Sequence, residues 1–559
     1  MEIVGFIIIA VVVVLFIFLN GMINERKIKK QYEEKLTSNY GKKTERVYKD
    51  GEFEHINGFN KHHNEEFTLD DITWNDLDMD SLFKQMNYTK SSAGEEYLYH
   101  ILKTPGIHEK DYATYESQVS YFMTHEVERK SLQLALHEIG RTGKYSIYDY
   151  LNNLDTLGNR SNKKDILVDL LFIPAIALMF YSIGYGIILL FVLILYNLVT
   201  YFRKKVEIDP YITCFAYVFR VIRGADRINR NQIAEIKEQQ SELASLKKRF
   251  VKFKRFSFLI MSKSRMTGNV TEIGIDYMRM FFHIDIIKFN SMLREVKKHW
   301  NDIDEMLKIM GYLDATLSIG EYRTFLGKYC IPEFEKGKYQ ADALYHPLLK
   351  EPVKNDIKVE KSILLTGSNA SGKSTFLKTV AVNAILAQSI HTVAADSYKA
   401  DYYRIYTSLS LKDNIFDGDS YYMAEIKSIK RMMDALKNSD VPVLGFVDEV
   451  LRGTNTVERI AASSIILRSM SKSHGYMFAA THDVELTEIL KNEYENYHFD
   501  EVIQDKDIYF PYILKKGKAL SKNAILLLEL MGYDNEIVAS ANRMAANFEK
   551  TSIWDIDNY

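Results

Sequence analysis

Gly367-Ser368-Asn369-Ala370-Ser371-Gly372-Lys373-Ser374 has the spacing G-x-x-x-x-G-K-[ST]. It lies between the apolar run Ser362–Thr366 and a helix-like stretch that opens at Thr375 and runs to Ile390. A strand, a glycine-rich turn and a helix in that order cradle phosphates with backbone N–H groups at a helix N-terminus. Lys373 can reach the β- and γ-phosphates, and the Ser374 hydroxyl can bind Mg²⁺. A second apolar run, 442–447, ends in Asp448-Glu449. A carboxylate at the end of a strand can hold Mg²⁺ through Ser374 or water, and Glu449 beside it can polarise an attacking water. A third run, Tyr476 to Ala480, ends in Thr481-His482. An imidazole there can sense a γ-phosphate or be an ordinary hydrogen-bonded histidine.

These runs need a sheet to bring their ends together. From about Tyr345 onward, short apolar strands alternate with helices, an α/β pattern. Upstream the texture is helical over 68–150, 206–300 and 303–335, with Thr104-Pro105-Gly106 as a break. Ile236, Leu243 and Phe250 recur every seven residues, with Ile233, Leu246 and Phe253 nearby, which predicts one long helix. Residues 24–67 read as a helical stub and a linker. The balance of 72 Lys+Arg against 74 Asp+Glu excludes a strongly basic polycation, and 47% hydrophobic residues exclude disorder over most of the chain. Two cysteines, Cys214 and Cys330, exclude a disulfide scaffold and a Cys-based zinc site.

Two stretches carry a membrane signal. Ile3 to Leu19 is 17 residues without charge, followed by Arg26, Lys27, Lys29 and Lys30. The positive cluster comes after the apolar run, which favours an uncleaved anchor over a signal peptide and places the flank in the cytoplasm. Ile166 to Phe202 is a second apolar block, between Arg160, Lys163, Lys164 and Arg203, Lys204, Lys205. A straight helix of that length would be roughly 55 Å long, too much for one span and enough for two short ones. The expectation is a hairpin turning near 181–186, with a buried helix pair of a soluble domain as the rival reading. One span followed by two leaves both soluble parts in the cytoplasm, where ATP and Mg²⁺ are available.

The motifs together resemble the MutS family of DNA mismatch repair type ATPases. Gly367 to Thr375 is similar to its phosphate loop, including Asn369 at the third position. Asp448-Glu449-Val450-Leu451-Arg452-Gly453-Thr454 resembles its D-E-x-x-R-G-T, and Thr481-His482 with Glu485-Leu486 its T-H-x-x-E-L. Gly418, Ser420, Met423 and Glu425 fit G-x-S-x-F-M-x-E, with Tyr422 for Phe. Tyr345-His346-Pro347, Asn355-Asp356, Asn496 with His498, and Gly517 to Asn523 fit as well, so the resemblance covers 340–547 almost continuously. Leu82 to Pro105 and Leu313-Asp314-Ala315 look like the two ends of the family's lever domain.

The resemblance implies ATP and Mg²⁺ as cofactors, a homodimer, and DNA as partner. It assigns nucleotide contacts to Gly367, Ser368, Asn369, Ala370, Ser371, Gly372, Lys373, Ser374 and Thr375. Lys373, Glu449 and His482 would be catalytic, and Ser374 and Asp448 would hold the metal. Ser420 would reach the partner's γ-phosphate, although Gly-Asp-Ser would also make a structural turn.

The expected layout is an anchor at 1–23, a linker at 24–67 and helical lever parts at 68–165 and 203–338. A membrane hairpin at 166–202 separates the levers, an α/β P-loop ATPase domain follows at 339–548, and a tail takes 549–559. It leaves out the mismatch-recognition and connector domains and any appended nuclease. The aromatic residue expected before Asn355-Asp356 is replaced by Pro352 and Val353. Lys247, Lys248, Arg249, Lys252, Lys254 and Arg255 form a basic run open to three readings: DNA contact, solvated face or lipid contact. The competing function is a membrane ATPase of the same fold acting on a protein or lipid.

Overall fold

The computed structural model describes residues 26–551 apart from 144, 153, 159, 256–276, 369–370, 410–420, 452–453, 505–506, 520–524, 526–527 and 530. It also describes 20, 23–24, 554 and 556. The expected N-terminal span therefore lies outside the described residues. The chain divides into two compact units: Met1–Glu65, Lys84–Ile101 and Asp111–Phe325 form one, and Glu66–Phe83, Leu102–Lys110 and Leu326–Tyr559 the other.

The second unit is built on a six-stranded sheet. Its strand order is Leu514–Lys516, Tyr494–Phe499, Ser362–Thr366, Gly475–Ala480, Val443–Asp448, Arg404–Ser408. All neighbours are parallel except the first pair. Every residue of Ser362–Thr366 and Val443–Asp448 is buried, as continuous apolar runs covered on both faces require. The helices Lys373–Ile390, Tyr421–Asn438 and Thr456–Ser471 alternate with these strands. A smaller sheet, ordered Glu333–Phe334, Ser397–Ala400, Tyr339–Leu344, Asn355–Lys358, belongs to the same unit, so the α/β texture starts slightly before Tyr345. Helix Asp71–Asp76 closes the free edge at Arg404–Ser408. The Asp76 carboxylate accepts from Thr407 Oγ1 at 2.7 Å and from Leu409 N at 2.8 Å.

The first unit is helical. Its core gathers Phe215, Val218, Ile222, Ile236, Leu243, Phe250, Phe289, Met306 and Leu313 among others. The heptad positions are buried as their spacing demands, but the expected long helix is broken. Lys237–Lys247 gives way to a tight turn at Lys248–Phe250 before Val251–Lys254. The stretch expected to be a linker is also structured. It carries helices Glu52–Ile56 and Gly58–His62, Ile56 and Phe59 are buried, and Arg46 pairs with Glu52 at 2.6 Å and Glu95 at 2.6 Å. Helices this short show no apolar period, so local spacing could not announce them.

The apolar block at 166–202 turns back on itself at Ser182, which is extended (φ −149°, ψ 109°). Phe172–Tyr181 packs along the start of the 46-residue helix Ile183–Ile228, with Phe172, Ala175 and Leu193 between them. The hairpin is present, but its arms are unequal. Among the described residues only Ile183–Asp209 is long and apolar enough to cross a membrane. The other arm is broken at Leu171 into Lys163–Leu170 and Phe172–Tyr181, and neither piece is long enough to cross a hydrocarbon core alone. Two full spans are therefore not supported. Phe180, Tyr181, Ile183 and Tyr185 at the tip are all more than 60% exposed.

Candidate nucleotide site

Register builds the site. Leu365 and Asp448 both lie opposite Ala480, so three neighbouring strands end at one level. Their next residues emerge together at the carboxyl ends of a parallel sheet, where such folds bind ligands. Thr481 N donates to Leu365 O and Glu449 N to Ala480 O, each at 2.9 Å, so the three exits are tied to one another.

Gly367 and Gly372 take φ of +139° and +100°, values that suit glycine alone. Ser371 Oγ donates to Ser368 O at 2.7 Å and folds the loop. Lys373 opens the helix, is buried, and donates through Nζ to the carbonyls of Gly367 and Ser368, both at 2.8 Å. Its ammonium is thus poised over the cradle. The Ser374 hydroxyl donates to the Asp448 carboxylate. A hydroxyl joined to a carboxylate at a strand end is an all-oxygen pair of the kind Mg²⁺ takes beside phosphate oxygens and waters, so these residues fit the metal.

Glu449 is held in the left-handed region (φ +58°), as is Leu451 (φ +62°). Buried Glu425 secures that turn by accepting from Leu451 N, and Ser463 Oγ donates to Val450 O at 3.0 Å. Backbone strain of this kind persists only where the surroundings over-determine it, typically at functional sites. The Glu449 carboxylate lies 2.9 Å from His482 Nε2, which is 3.4 Å from Lys373 Nζ. With Nε2–H given to Glu449, the approach to Lys373 is a close contact and not a second hydrogen bond. Lys373, Ser374, Asp448, Glu449 and His482 are therefore brought together as the spacing predicts. Asn369, Ala370, Ser420, Arg452 and Gly453 lie outside the described residues.

Several neighbours had no readable signal. Arg459 makes a two-pronged pair with Asp483, at 2.6 and 2.9 Å, beside His482. Ser368 Oγ donates to Glu501 at 2.5 Å. The Tyr512 ring stands against Gly372, where an added Cβ would lie 2.9 Å from Cδ1. Asn355 holds that segment by donating to Tyr512 O at 3.0 Å and accepting from Leu514 N at 2.7 Å. The Asn-Asp element thus has a structural use, and the aromatic ring near the cradle comes from a distant strand lead-in.

The basic run on 247–255 is mostly engaged within the helical unit. Lys247 and Lys254 both bond Asp226, and Arg249 bonds Asp302.

Residues 363–549 match MutS domain V. The chain is similar to the DNA mismatch repair protein MutS of Fusobacterium nucleatum, at 30% identity over 275 residues, 47% of this chain and 30% of that one. Against MutS of Thermus aquaticus it is 28% identical over 262 residues, 46% of this chain and 32% of the relative. Against that of Thermotoga maritima it is 26% identical over 308 residues, 52% and 38%. The chain spans about a third of the length of these relatives.

Proposed function

We propose that this is a membrane-anchored, MutS-like ATPase that binds and hydrolyses ATP with Mg²⁺ and binds DNA. The observation that carries the ATPase reading is the convergence of Lys373, Ser374, Asp448, Glu449 and His482 on one edge of the sheet. Lys373 leaves its two carbonyls for phosphate oxygens. Ser374 and Asp448 would hold the cation, which when bound would neutralise charge on the transferring phosphoryl group. Glu449 turns from His482 to orient the attacking water, and His482 stays at the γ-phosphate end. The half-exposed Tyr512 ring, 43% exposed, receives the base.

The working unit is a homodimer in which Ser420 completes the partner's site. The N-terminal run and the 166–202 hairpin hold the protein in the cell membrane with both soluble units in the cytoplasm. Local thinning of the bilayer accommodates the short arm. The relatives' printed name, DNA mismatch repair protein, supports DNA as partner.

Nucleotide titration and Mg²⁺-dependent turnover of the full chain test the reading. Lys373→Ala is expected to abolish ATP binding, and unchanged binding would contradict it. Mixing Lys373→Ala with Ser420→Arg subunits, each inactive alone, should restore activity if sites are shared. Mixed dimers without recovery would rule sharing out. On a cysteine-free background, an external reagent should label Gly184→Cys and spare Lys298→Cys; the reverse would overturn the topology.

A further inference from the structure

Three cavities of 310, 360 and 450 Å³ lie in the helical unit and share lining residues. Tyr32 belongs to the first two, and Lys29 and Arg227 to the last two, so they form one trench along the helix at 26–38. Twelve lysines and arginines line it against three glutamates, on a chain whose formal net charge is −2. Five are paired: Lys35 with Glu45 at 2.9 Å, Arg46 with Glu52 and Glu95, Lys90 with Glu321, Arg141 with Glu95, and Arg227 with Glu138. Among the described residues, Lys29, Lys42, Lys43, Arg223 and Arg230 have no carboxylate partner. Arg220, Arg223 and Arg227 sit at i, i+3 and i+7 of one helix, a single face with a positive charge roughly every 5 Å, and Arg230 follows in the turn after its end. Tyr32, stacked on His137 with centroids 3.8 Å apart, stands where the first two cavities meet.

We propose that this trench holds a single strand of nucleic acid. A basic groove that tracks a backbone, interrupted by an aromatic platform, is the arrangement that binds single strands without sequence preference. Each cavity is about large enough for one nucleotide, and a ribbon of this width follows one strand. A duplex presents its phosphates on a convex cylinder and does not reach the cavity floors. Anionic lipid can meet Arg26 and Lys29, which follow the N-terminal apolar run by 7 and 10 residues, but at the hairpin it is disfavoured by distance from the arginine face. Arg220 is 18 residues beyond Phe202 on one continuous helix, about 27 Å, against a screening length of about 8 Å. The proposal rests on the nucleic-acid part of the functional reading and moves the contact away from the 247–255 run.

The test is fluorescence anisotropy of the full chain with a labelled single strand of roughly 20 nucleotides, with the matching duplex, and with vesicles containing phosphatidylserine. The single strand should bind best, with affinity falling steeply as salt rises. Arg223→Glu with Arg230→Glu should weaken it about tenfold or more, and Lys42→Glu with Lys43→Glu, at the other end, should do the same. Lys248→Glu with Lys252→Glu should change it less than about twofold. Thermal unfolding of each variant checks the fold, and the two trench pairs, far apart, check one another. Wild-type protein that binds neither nucleic acid fails the DNA reading itself. Tight binding that survives both trench pairs, or is lost with Lys248 and Lys252, overturns only the trench. Preference for the duplex or for vesicles overturns the single-strand assignment.

Discussion

At the cradle, Ser374 meets Asp448 and Lys373 meets His482 across 74 and 109 residues, and each partner leaves the end of a strand. In the helical unit, Asp314 accepts from Lys90 N and Ser91 N at 3.0 and 2.8 Å, across 224 and 223 residues, from inside a helix. Both places bury polar groups with partners. In the sheet, register alone delivers the side chains to one edge, so a short motif at each strand end suffices to read them. In the helical unit the two segments were marked by resemblance alone, and nothing local pairs them. The resemblance marks Leu313-Asp314-Ala315, but neither spacing nor composition says that the loop at 87–91 folds over Asp314. A site made by strand ends is legible in a sequence, and a site made by helix packing is not.

The largest effect that would sharpen this contrast comes from Asp314→Ala. It strands the buried Ser91 N–H, the partly buried Lys90 N–H and the Ser91 hydroxyl, and should cost about 3 kcal/mol in equilibrium denaturation. A loss below about 1 kcal/mol would break the comparison, because packing and not the carboxylate would then hold the loop.

His346 makes the matching test in the ATPase unit. It is buried, its Nδ1 accepts from Leu348 N at 3.3 Å, and burial pushes its pKa down from 6.5 to about 4. The unfolded chain takes up this proton first. The neutral ring therefore contributes fully above pH 6.5, and that stability is lost as pH falls from 6.5 towards 4. The loss should be about 3 kcal/mol, and His346→Asn should flatten it in denaturation curves taken across that range. An unchanged slope would place the pH dependence elsewhere.

Tyr512→Ala should weaken ATP binding about tenfold, near 1.4 kcal/mol, in a nucleotide titration, without altering the melting of the helical unit. An equal loss of GTP affinity is expected as well, since a ring face does not discriminate between purines. The smallest effect is at Arg249. Its side chain is 54% exposed, and Asp302 keeps His299 at 2.9 Å as a second partner, so Arg249→Ala should stay within about 0.5 kcal/mol of wild type.

The same contrast explains what could be read. The three strand exits at Gly367, Asp448 and Thr481 were legible because each apolar run ends in polar residues whose types suit phosphate chemistry. The break at Lys248–Phe250 was not, because a 3₁₀ turn keeps Ile236, Leu243 and Phe250 buried while leaving the heptad spacing intact. The basic run misled for a related reason. Asp226 and Asp302, which engage Lys247, Lys254 and Arg249, are 21 to 53 residues away. The turn expected near 181–186 is there, at Ser182, but the break of the first arm at Leu171 was not legible in the residues around it.

The central claim is that Glu449, held at positive φ against His482, is the group that orients water for ATP cleavage. Glu449→Ala separates it from every other role at the cradle. Titration with ATP and Mg²⁺ should give wild-type affinity, while turnover in the same preparation falls at least about a hundredfold. Wild-type turnover by Glu449→Ala would contradict the account.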